Sequence, residues 1–165
     1  MPSVRRLRAH EWREYRDLRL RALADSPDAF SSALAFEQPR SDAEWADRLA
    51  SGATSAWNLP LVAVEGVELV GLAWGRIDPT VPETAHVFQM WVAPPSRGLG
   101  CGSMLLDGVV DWARAAKARR VVLGVTCGNT PARRLYERAG FEPAGDPSPL
   151  RPGSTLLSQP MCLEL

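Results

Sequence analysis

The residues best suited to do chemistry form a glycine-rich stretch, Arg97-Gly98-Leu99-Gly100-Cys101-Gly102-Ser103, between a predicted strand and a predicted helix. Glycines let the backbone approach a ligand because no Cβ stands in the way. The first N–H groups of a helix have no partner within the helix, and the helix dipole there favours negative charge. Three alternating glycines and an arginine exceed what a tight turn needs. The stretch therefore predicts a cradle for a pyrophosphate.

Two common phosphate-binding motifs do not fit this stretch. A Walker A loop needs Gly-Lys-Ser/Thr, and the stretch contains no lysine. A dinucleotide fingerprint needs Gly-x-Gly-x-x-Gly directly after the first strand. Here the spacing is Gly-x-Gly-x-Gly, and the stretch comes late in the chain. A nucleotide-binding protein of either kind is therefore disfavoured.

Hydrophobic periodicity predicts the elements that must position the glycine-rich stretch. Strands are predicted at 4–7, 61–65, 68–77, 85–92, 120–126, from 141 onward and at 156–163. Helices are predicted at 11–24, after residue 41, at 102–116 and at 131–139. Ser41 and Glu44 form a capping-box signature for the second helix. Segments 28–40 and 146–153 are predicted as loops. With no internal repeat and no linker, the chain is expected to form one domain, residues 1–165, of α/β or α+β class with a mixed sheet.

Composition narrows the classes of function. The chain has 19 basic and 19 acidic residues, and Lys117 is its only lysine. Nucleic acid is therefore not an expected partner, because phosphate backbones attract proteins with a basic surplus. Cys101, Cys127 and Cys162 fit neither a zinc site nor a disulfide framework, so no metal is expected. Without a signal-peptide core or an apolar run of the roughly 20 residues that span a bilayer, we expect a cytoplasmic protein with no membrane partner.

Two motifs in order give the sequence a resemblance to the GCN5-related N-acetyltransferases, the GNAT family. The family signature Gln/Arg-x-x-Gly-x-Gly/Ala after a strand is matched by Arg97, Gly100 and Gly102. A second family motif, Asn-x-x-Ala-x-x-x-Tyr-x-x-x-Gly-Phe, is matched at the positions Asn129, Ala132, Tyr136, Gly140 and Phe141. The close match covers residues 87–141. The resemblance implies a mostly antiparallel twisted sheet flanked by about four helices, with two central strands splayed apart.

The resemblance also implies roles for particular residues. Acetyl-CoA is the expected cosubstrate, its pantetheine arm lying between the splayed strands beside Met90, Trp91 and Val92. The Met90 N–H should face the thioester oxygen, and Arg97 to Ser103 should hold the pyrophosphate. Further coenzyme contacts are expected from Asn129, Arg133 and Tyr136. The Tyr136 hydroxyl should lie near the sulfur.

The chemistry of amine acetylation suits these residue types. A fixed backbone N–H stabilises the negative charge that develops on the thioester oxygen during attack. A phenol of pKa about 10 can protonate a leaving thiolate of comparable basicity. The general base is left open among Glu37, Glu83, His86 and water, because the polar residues of the central strand, His86 and Gln89, include no carboxylate.

Several alternatives stay open at this point. A non-catalytic module that binds or senses acetyl-CoA would share the motifs, although the retained Tyr136 favours an enzyme. The amine acceptor is not identified and could be a small molecule, a peptide or a protein amine. Homodimers are common in the family, which leaves that assembly open. Cys101 could have a lowered thiol pKa at a helix start, but a small apolar residue packing under the loop is the favoured interpretation.

Overall fold

A twisted, mostly antiparallel sheet organises the chain. The computed structural model describes residues 1–165. The strands are β1 (Ser3–Arg6), β2 (Asn58–Glu65), β3 (Glu68–Ile77), β4 (Thr84–Val92), β5 (Arg120–Thr126), β6 (Glu142–Pro143), β7 (Ser148–Pro149) and β8 (Leu157–Glu164). The helices are α1 (Trp12–Asp25), α2 (Leu34–Glu37), α3 (Asp42–Thr54), α4 (Cys101–Ala115) and α5 (Thr130–Arg138). Neighbouring strands run β1-β2-β3-β4-β5-β8-β6, and β7 pairs with β8.

Helices cover both faces of the sheet, and alternate residues of β3 show which helix each face meets. A Cβ on Gly75 would lie 3.0 Å from atoms of Val109 and Trp112 in α4. The opposite face of β3 carries Trp74, whose ring lies 5.6 Å from that of Tyr15 in α1. Because successive strand residues point to opposite faces, α4 and α1 lie on opposite sides of the sheet. The buried core therefore has two halves separated by the central strands.

The sequence-based elements are confirmed in outline and corrected in detail. Ser41 caps α3 by accepting a hydrogen bond from the Glu44 N–H at 3.2 Å, as the capping box predicts. The predicted loop 28–40 contains the one-turn helix α2, so there are five helices rather than four. The strand expected from residue 61 begins at Asn58, and the loop expected at 146–153 contains β7. These short elements depend on contacts with residues distant in sequence, and local hydrophobic periodicity does not predict such contacts.

The only parallel pair in the sheet, β4 with β5, is joined over a short stretch. β4 and β5 pair only at Thr84–Arg120, Ala85–Val121 and His86–Val122. Beyond His86 the two strands have no paired residues, so they separate toward the carboxyl end of β4. The implied splay is confirmed, and it opens directly below the glycine-rich stretch that follows β4.

Candidate functional site

Two clefts meet where β4 and β5 separate. The first, here the glycine-loop cleft, has a volume of about 890 Å³ and includes the glycine-rich stretch and the start of α5. The second, here the arginine cleft, has a volume of about 680 Å³ and includes Arg19, Arg48 and Arg76. Ala29, Met90 and Tyr136 line both clefts. A group bound at this junction can therefore be reached from two sides.

The glycine-rich stretch places the start of α4 toward the first cleft. Gly98 has φ +81° and Gly100, the N-cap of α4, has φ +89°. Residues with a side chain rarely adopt this left-handed conformation, which explains the glycines. The next three N–H groups, those of Cys101, Gly102 and Ser103, have no acceptor within the helix. All three residues line the glycine-loop cleft, so the geometry suits an anion.

Arg97 is held by two partners in this structure. Its Nε donates to the Val92 carbonyl oxygen at 2.9 Å, and its Nη2 donates to Asp25 Oδ2 at 2.8 Å. Asp25 Oδ2 also accepts from Trp91 Nε1 at 3.0 Å. Hydrogen bonds from Trp91, Ser26 and Arg97 hold the pKa of Asp25 below its ordinary value despite some burial. Asp25 thus orients the arginine of the stretch, a role that the sequence did not indicate.

A bulge in β4 frees the backbone at the junction. Trp74 and Leu72 of β3 pair with Phe88 and Trp91, which leaves Gln89 and Met90 without a partner in β3. Neither has a partner in β5. Gln89 has φ +55°, an unusual value for a residue with a side chain, and its Oε1 accepts a hydrogen bond from the Tyr15 hydroxyl at 2.8 Å. The bulge therefore turns two backbone units out of the sheet ladder.

Helix α5 brings Asn129 and Tyr136 to the glycine-loop cleft but not Arg133. Asn129 caps the helix, its Oδ1 accepting from the Ala132 N–H at 3.4 Å. Arg133 donates to Glu137 at 2.7 Å on the outer face, and it lines neither cleft. Arg138 lines the glycine-loop cleft instead. Pro131, Leu135 and Arg138 stand at i, i+4 and i+7 and so share one face of the helix. This spacing is the sequence feature that could have predicted Arg138 as a cleft residue.

The Tyr136 side chain is almost entirely buried, yet its ring lines both clefts. The hydroxyl makes no hydrogen bond within the protein. Burial raises the pKa of Tyr136 to about 12. The phenol is therefore protonated throughout the neutral range and is available to donate to a group at the junction.

The candidate bases separate clearly by position. Glu37 is buried between Arg19 and Arg48, at 2.8 Å and 3.0 Å. Burial opposes its charge, but the two arginines outweigh that effect and lower the pKa of Glu37. Neither Glu37 nor Glu83 lines either cleft, whereas His86 lines the arginine cleft. Burial and the nearby Arg76 lower the pKa of His86, against an opposing effect of Asp78, so this imidazole is neutral and able to accept a proton at pH 7.

The structure brings together most of the residues that the sequence singled out. The glycine-loop cleft is lined by Met90, Trp91, Val92, Arg97, Gly98, Gly100, Cys101, Gly102, Ser103, Asn129 and Tyr136. Leu99 and Arg133 are the two members of the predicted set that do not line it. The Leu99 side chain is 53% exposed beside the loop. The cleft residues that sequence reasoning missed include Asp25 and Arg138.

Comparison with known proteins identifies a family over most of the chain. The model of the acetyltransferase (GNAT) family matches residues 6–141. The mycothiol acetyltransferase of Corynebacterium glutamicum is 36% identical over 77 residues, which are 47% of this chain and 26% of that protein. The chain therefore spans about a quarter of the length of that relative, and the match by itself assigns no acceptor.

Two solved structures share the fold along the whole chain. A GNAT-family acetyltransferase from Streptococcus pneumoniae superposes with a TM-score of 0.83 at 22% identity, covering 100% of both chains. The protein yncA from Salmonella typhimurium, solved with its cofactor acetyl-CoA, gives 0.81 at 19% identity, covering 100% of this chain and 94% of that one. At these identities the likeness concerns the fold. None of the five helices is long and apolar enough to pass through a bilayer.

The surroundings of Cys101 predict an unreactive thiol. Its side chain is 1% exposed, and burial together with Glu65 raises the pKa of the thiol. Cys127 is exposed in the same cleft and is the matched control. We expect iodoacetamide to label Cys127 rapidly and Cys101 hardly at all in the native protein, as site-resolved mass spectrometry would show. Fast labelling of Cys101 in the folded protein would contradict the packing described here.

Proposed function

We propose a reaction from one premise: this chain belongs to the acetyltransferase (GNAT) family. On that premise, the protein transfers the acetyl group of acetyl-CoA directly to an amine. The observation that carries the proposal is the junction of the two clefts at Met90 and Tyr136. A thioester in one cleft and an amine in the other meet there without a covalent enzyme intermediate. Holding two reactants in line in this way removes much of the entropic barrier to their reaction.

The glycine-loop cleft fits acetyl-CoA by shape and by charge. A Cβ built on Gly98 or Gly100 would meet no protein atom within 4 Å, so the space beside the loop is open to a ligand. The free N–H groups at the start of α4 suit a pyrophosphate. Arg138 and Arg97 lie in the same cleft, Arg97 paired with Asp25. The separated strands leave a slot beside β4 in which an extended amide-bearing arm can pair with unpaired backbone. These features support acetyl-CoA as the donor, which supplies the activated acetyl group.

Met90 and Tyr136 supply the dipoles for acetyl transfer. The Met90 backbone has no ladder partner, so its N–H can donate to the thioester oxygen as negative charge develops there. The Tyr136 hydroxyl donates to the leaving sulfur. Since the pKa of Tyr136 is about 12 in the free protein, above that of an ordinary thiol, the phenol stays protonated and acts mainly by donating a hydrogen bond to the sulfur.

His86 is the proton acceptor that the geometry favours. Of the three candidate side chains, only His86 lines a cleft that reaches the junction. It lies four residues before Met90, roughly 13 Å along an extended strand. The proton of the attacking ammonium therefore reaches it through water in the arginine cleft.

The first prediction of this proposed function tests the acetyl-CoA site through the glycine loop. Gly100→Val places a side chain where the phosphates would lie, and we expect it to abolish acetyl-CoA binding measured by calorimetry. Gly66→Val is the matched control, since Gly66 has φ +63°, equally open surroundings and a position in the β2–β3 turn. The control should bind like the native protein. At 100 times the dissociation constant, acetyl-CoA should stabilise native protein by about 2.7 kcal/mol, and native protein without binding or thermal shift would refute the proposal.

The second prediction concerns the pH dependence of turnover. Protonated His86 cannot accept a proton, so kcat/KM should fall as the pH drops through a pKa below 6.5, the ordinary histidine value. His86→Gln should remove this acid limb and lower kcat/KM at neutral pH by at most about 100-fold, because the relay through water is partly replaceable. His10→Gln, the change at the only other histidine, should leave the profile unaltered. An unchanged acid limb in His86→Gln would assign the limb to another group.

The third prediction concerns the leaving thiolate. Tyr136→Phe keeps the ring and its packing on Phe141 but removes the donor hydroxyl. Acetyl-CoA affinity should change little, while kcat falls by up to roughly 10²–10⁴-fold. The loss should be smaller with an acyl donor whose thiol is more acidic, because that thiolate leaves unaided. Near-native turnover of acetyl-CoA by a folded Tyr136→Phe protein would refute the donor role and leave the transfer reaction standing.

A further inference from the structure

The walls of the arginine cleft carry charge of one sign only. The cleft is lined by Arg19, Arg48 and Arg76 together with His86, and by no aspartate or glutamate. The chain as a whole has equal numbers of acidic and basic residues, so this bias is local. A cleft that accepts polycationic amines needs carboxylates, because like charges repel at short range. The sign of the charge therefore points away from a polyamine.

Arg19 has a free donor in a place where donors are normally paired. The residue is 3% exposed, and its Nε and Nη2 donate to the Glu37 carboxylate at 3.3 Å and 2.8 Å. Its Nη1 is buried and has no hydrogen-bond partner. An unpaired buried donor on a charged group destabilises the folded protein, because the group has lost its water and gained no acceptor. A residue that stays in this state beside a cleft is suited to a ligand that supplies the missing acceptor.

Glu37 fixes two arginines without neutralising them. Its Oε1 accepts from Arg48 Nη1 at 3.0 Å and from Arg19 Nε at 3.3 Å, while its Oε2 accepts from Arg19 Nη2. Two guanidinium groups thus share one carboxylate, which leaves a net positive charge on this wall. The carboxylate is 1% exposed and lies behind the arginines, outside the cleft. The arrangement resembles a preformed receptor for an anion rather than a satisfied ion pair.

Arg19 lines the same cleft as the three junction residues, Ala29, Met90 and Tyr136. Its guanidinium lies 4.7 Å from the centre of the ring of Phe30, the residue that follows Ala29 in the chain. An anion on Arg19 can therefore belong to the same small molecule as an amine at the junction. The apolar residues Val87, Leu123 and Leu150 complete this region of the cleft.

We propose that the acceptor is a small amine that carries an oxyanion, such as the carboxylate of an amino acid, and that Arg19 and Arg48 bind that oxyanion. This inference rests on the proposed acetyl transfer and names the class of its acceptor. Planar guanidinium groups bind carboxylate and phosphate through paired hydrogen bonds. Binding would fill the vacant hydrogen bond of Arg19 and hold the amine toward Met90. An apolar side chain would lie against Leu123 and Leu150.

The test compares amines that differ only in the anion. L-Leucine, leucinamide and 3-methylbutylamine are assayed with acetyl-CoA, and O-phosphoethanolamine against ethanolamine separates phosphate from carboxylate. We expect kcat/KM for at least one anionic amine to exceed that of its neutral partner by about tenfold or more. Leucinamide has the more acidic ammonium group and would react faster on chemistry alone. Equal rates for acid and neutral partner in both sets, or preferred turnover of spermidine, would overturn the inference.

Variants assign the preference to the arginines. Arg48→Gln leaves the Arg19–Glu37 pair in place and should reduce the preference for the anionic amine about tenfold, with little effect on 3-methylbutylamine. Arg19→Lys keeps a positive charge for Glu37 but loses the planar fork and should have a similar or larger effect. Arg114→Gln, on the exposed side of α4, is the control. If Arg19→Lys does not fold, Arg48→Gln decides, and an undiminished preference in that variant overturns the assignment.

A binding experiment separates this inference from the proposed reaction. Calorimetry of CoA-saturated protein with L-leucine, leucinamide, O-phosphoethanolamine and ethanolamine needs no turnover. Tighter binding of an anionic member, weakened in Arg48→Gln, supports the anion site even if no amine is acetylated. Equal or undetectable binding within both pairs overturns it, even if another amine is acetylated.

Discussion

The separation of β4 from β5 beyond the His86–Val122 pair is the constraint on which the other features of the site depend. Backbone N–H and C=O groups that leave a sheet ladder must find other partners, because an unpaired buried group costs as much as a lost hydrogen bond. In this protein the edge opens into a cleft, so the unpaired groups of β4 face a space that a ligand can fill. The break in the sheet thus leaves a surface of unpaired main chain along the cleft.

The opening is held in place by side chains from distant parts of the chain. Gln89 adopts its left-handed conformation within the bulge while its side chain accepts from buried Tyr15 of α1. That conformation costs roughly 1–2 kcal/mol, and the hydrogen bond to a fully buried tyrosine helps to offset it. Asp25, at the end of the same helix, holds both Trp91 and Arg97. Helix α1 therefore fixes the free edge of β4 at two points on either side of Met90.

Local patterns predicted the parts of this site that are local in the chain. The glycine-rich stretch, the helix after it and the Asn129–Tyr136 spacing depend on neighbours within one or two helical turns. In the structure most of the stretch, Asn129 and Tyr136 line one cleft. Asp25 with Arg97, Tyr15 with Gln89 and Arg19 with Glu37 join residues far apart in sequence, and no periodicity encodes such pairs. Arg133 was predicted to contact the coenzyme, but the phase of the helix pairs it with Glu137 and brings Arg138 to the cleft. Glu37 was a candidate base, and its pairing with Arg19 and Arg48 is a tertiary feature that the sequence does not show.

Charge is unevenly distributed over the two clefts of this chain of zero net charge. The arginine cleft carries Arg19, Arg48 and Arg76 without a carboxylate, whereas the glycine-loop cleft carries Arg97 and Arg138 together with Asp25 and Asp28. The three residues at the junction, Ala29, Met90 and Tyr136, carry no charge at neutral pH. Under the proposed reaction, bound reactants would displace water from this junction, where a single N–H or O–H dipole then acts more strongly than it does in water. The proposal thus assigns recognition of the two molecules to the charged ends of the clefts and the lowering of the barrier to the neutral centre.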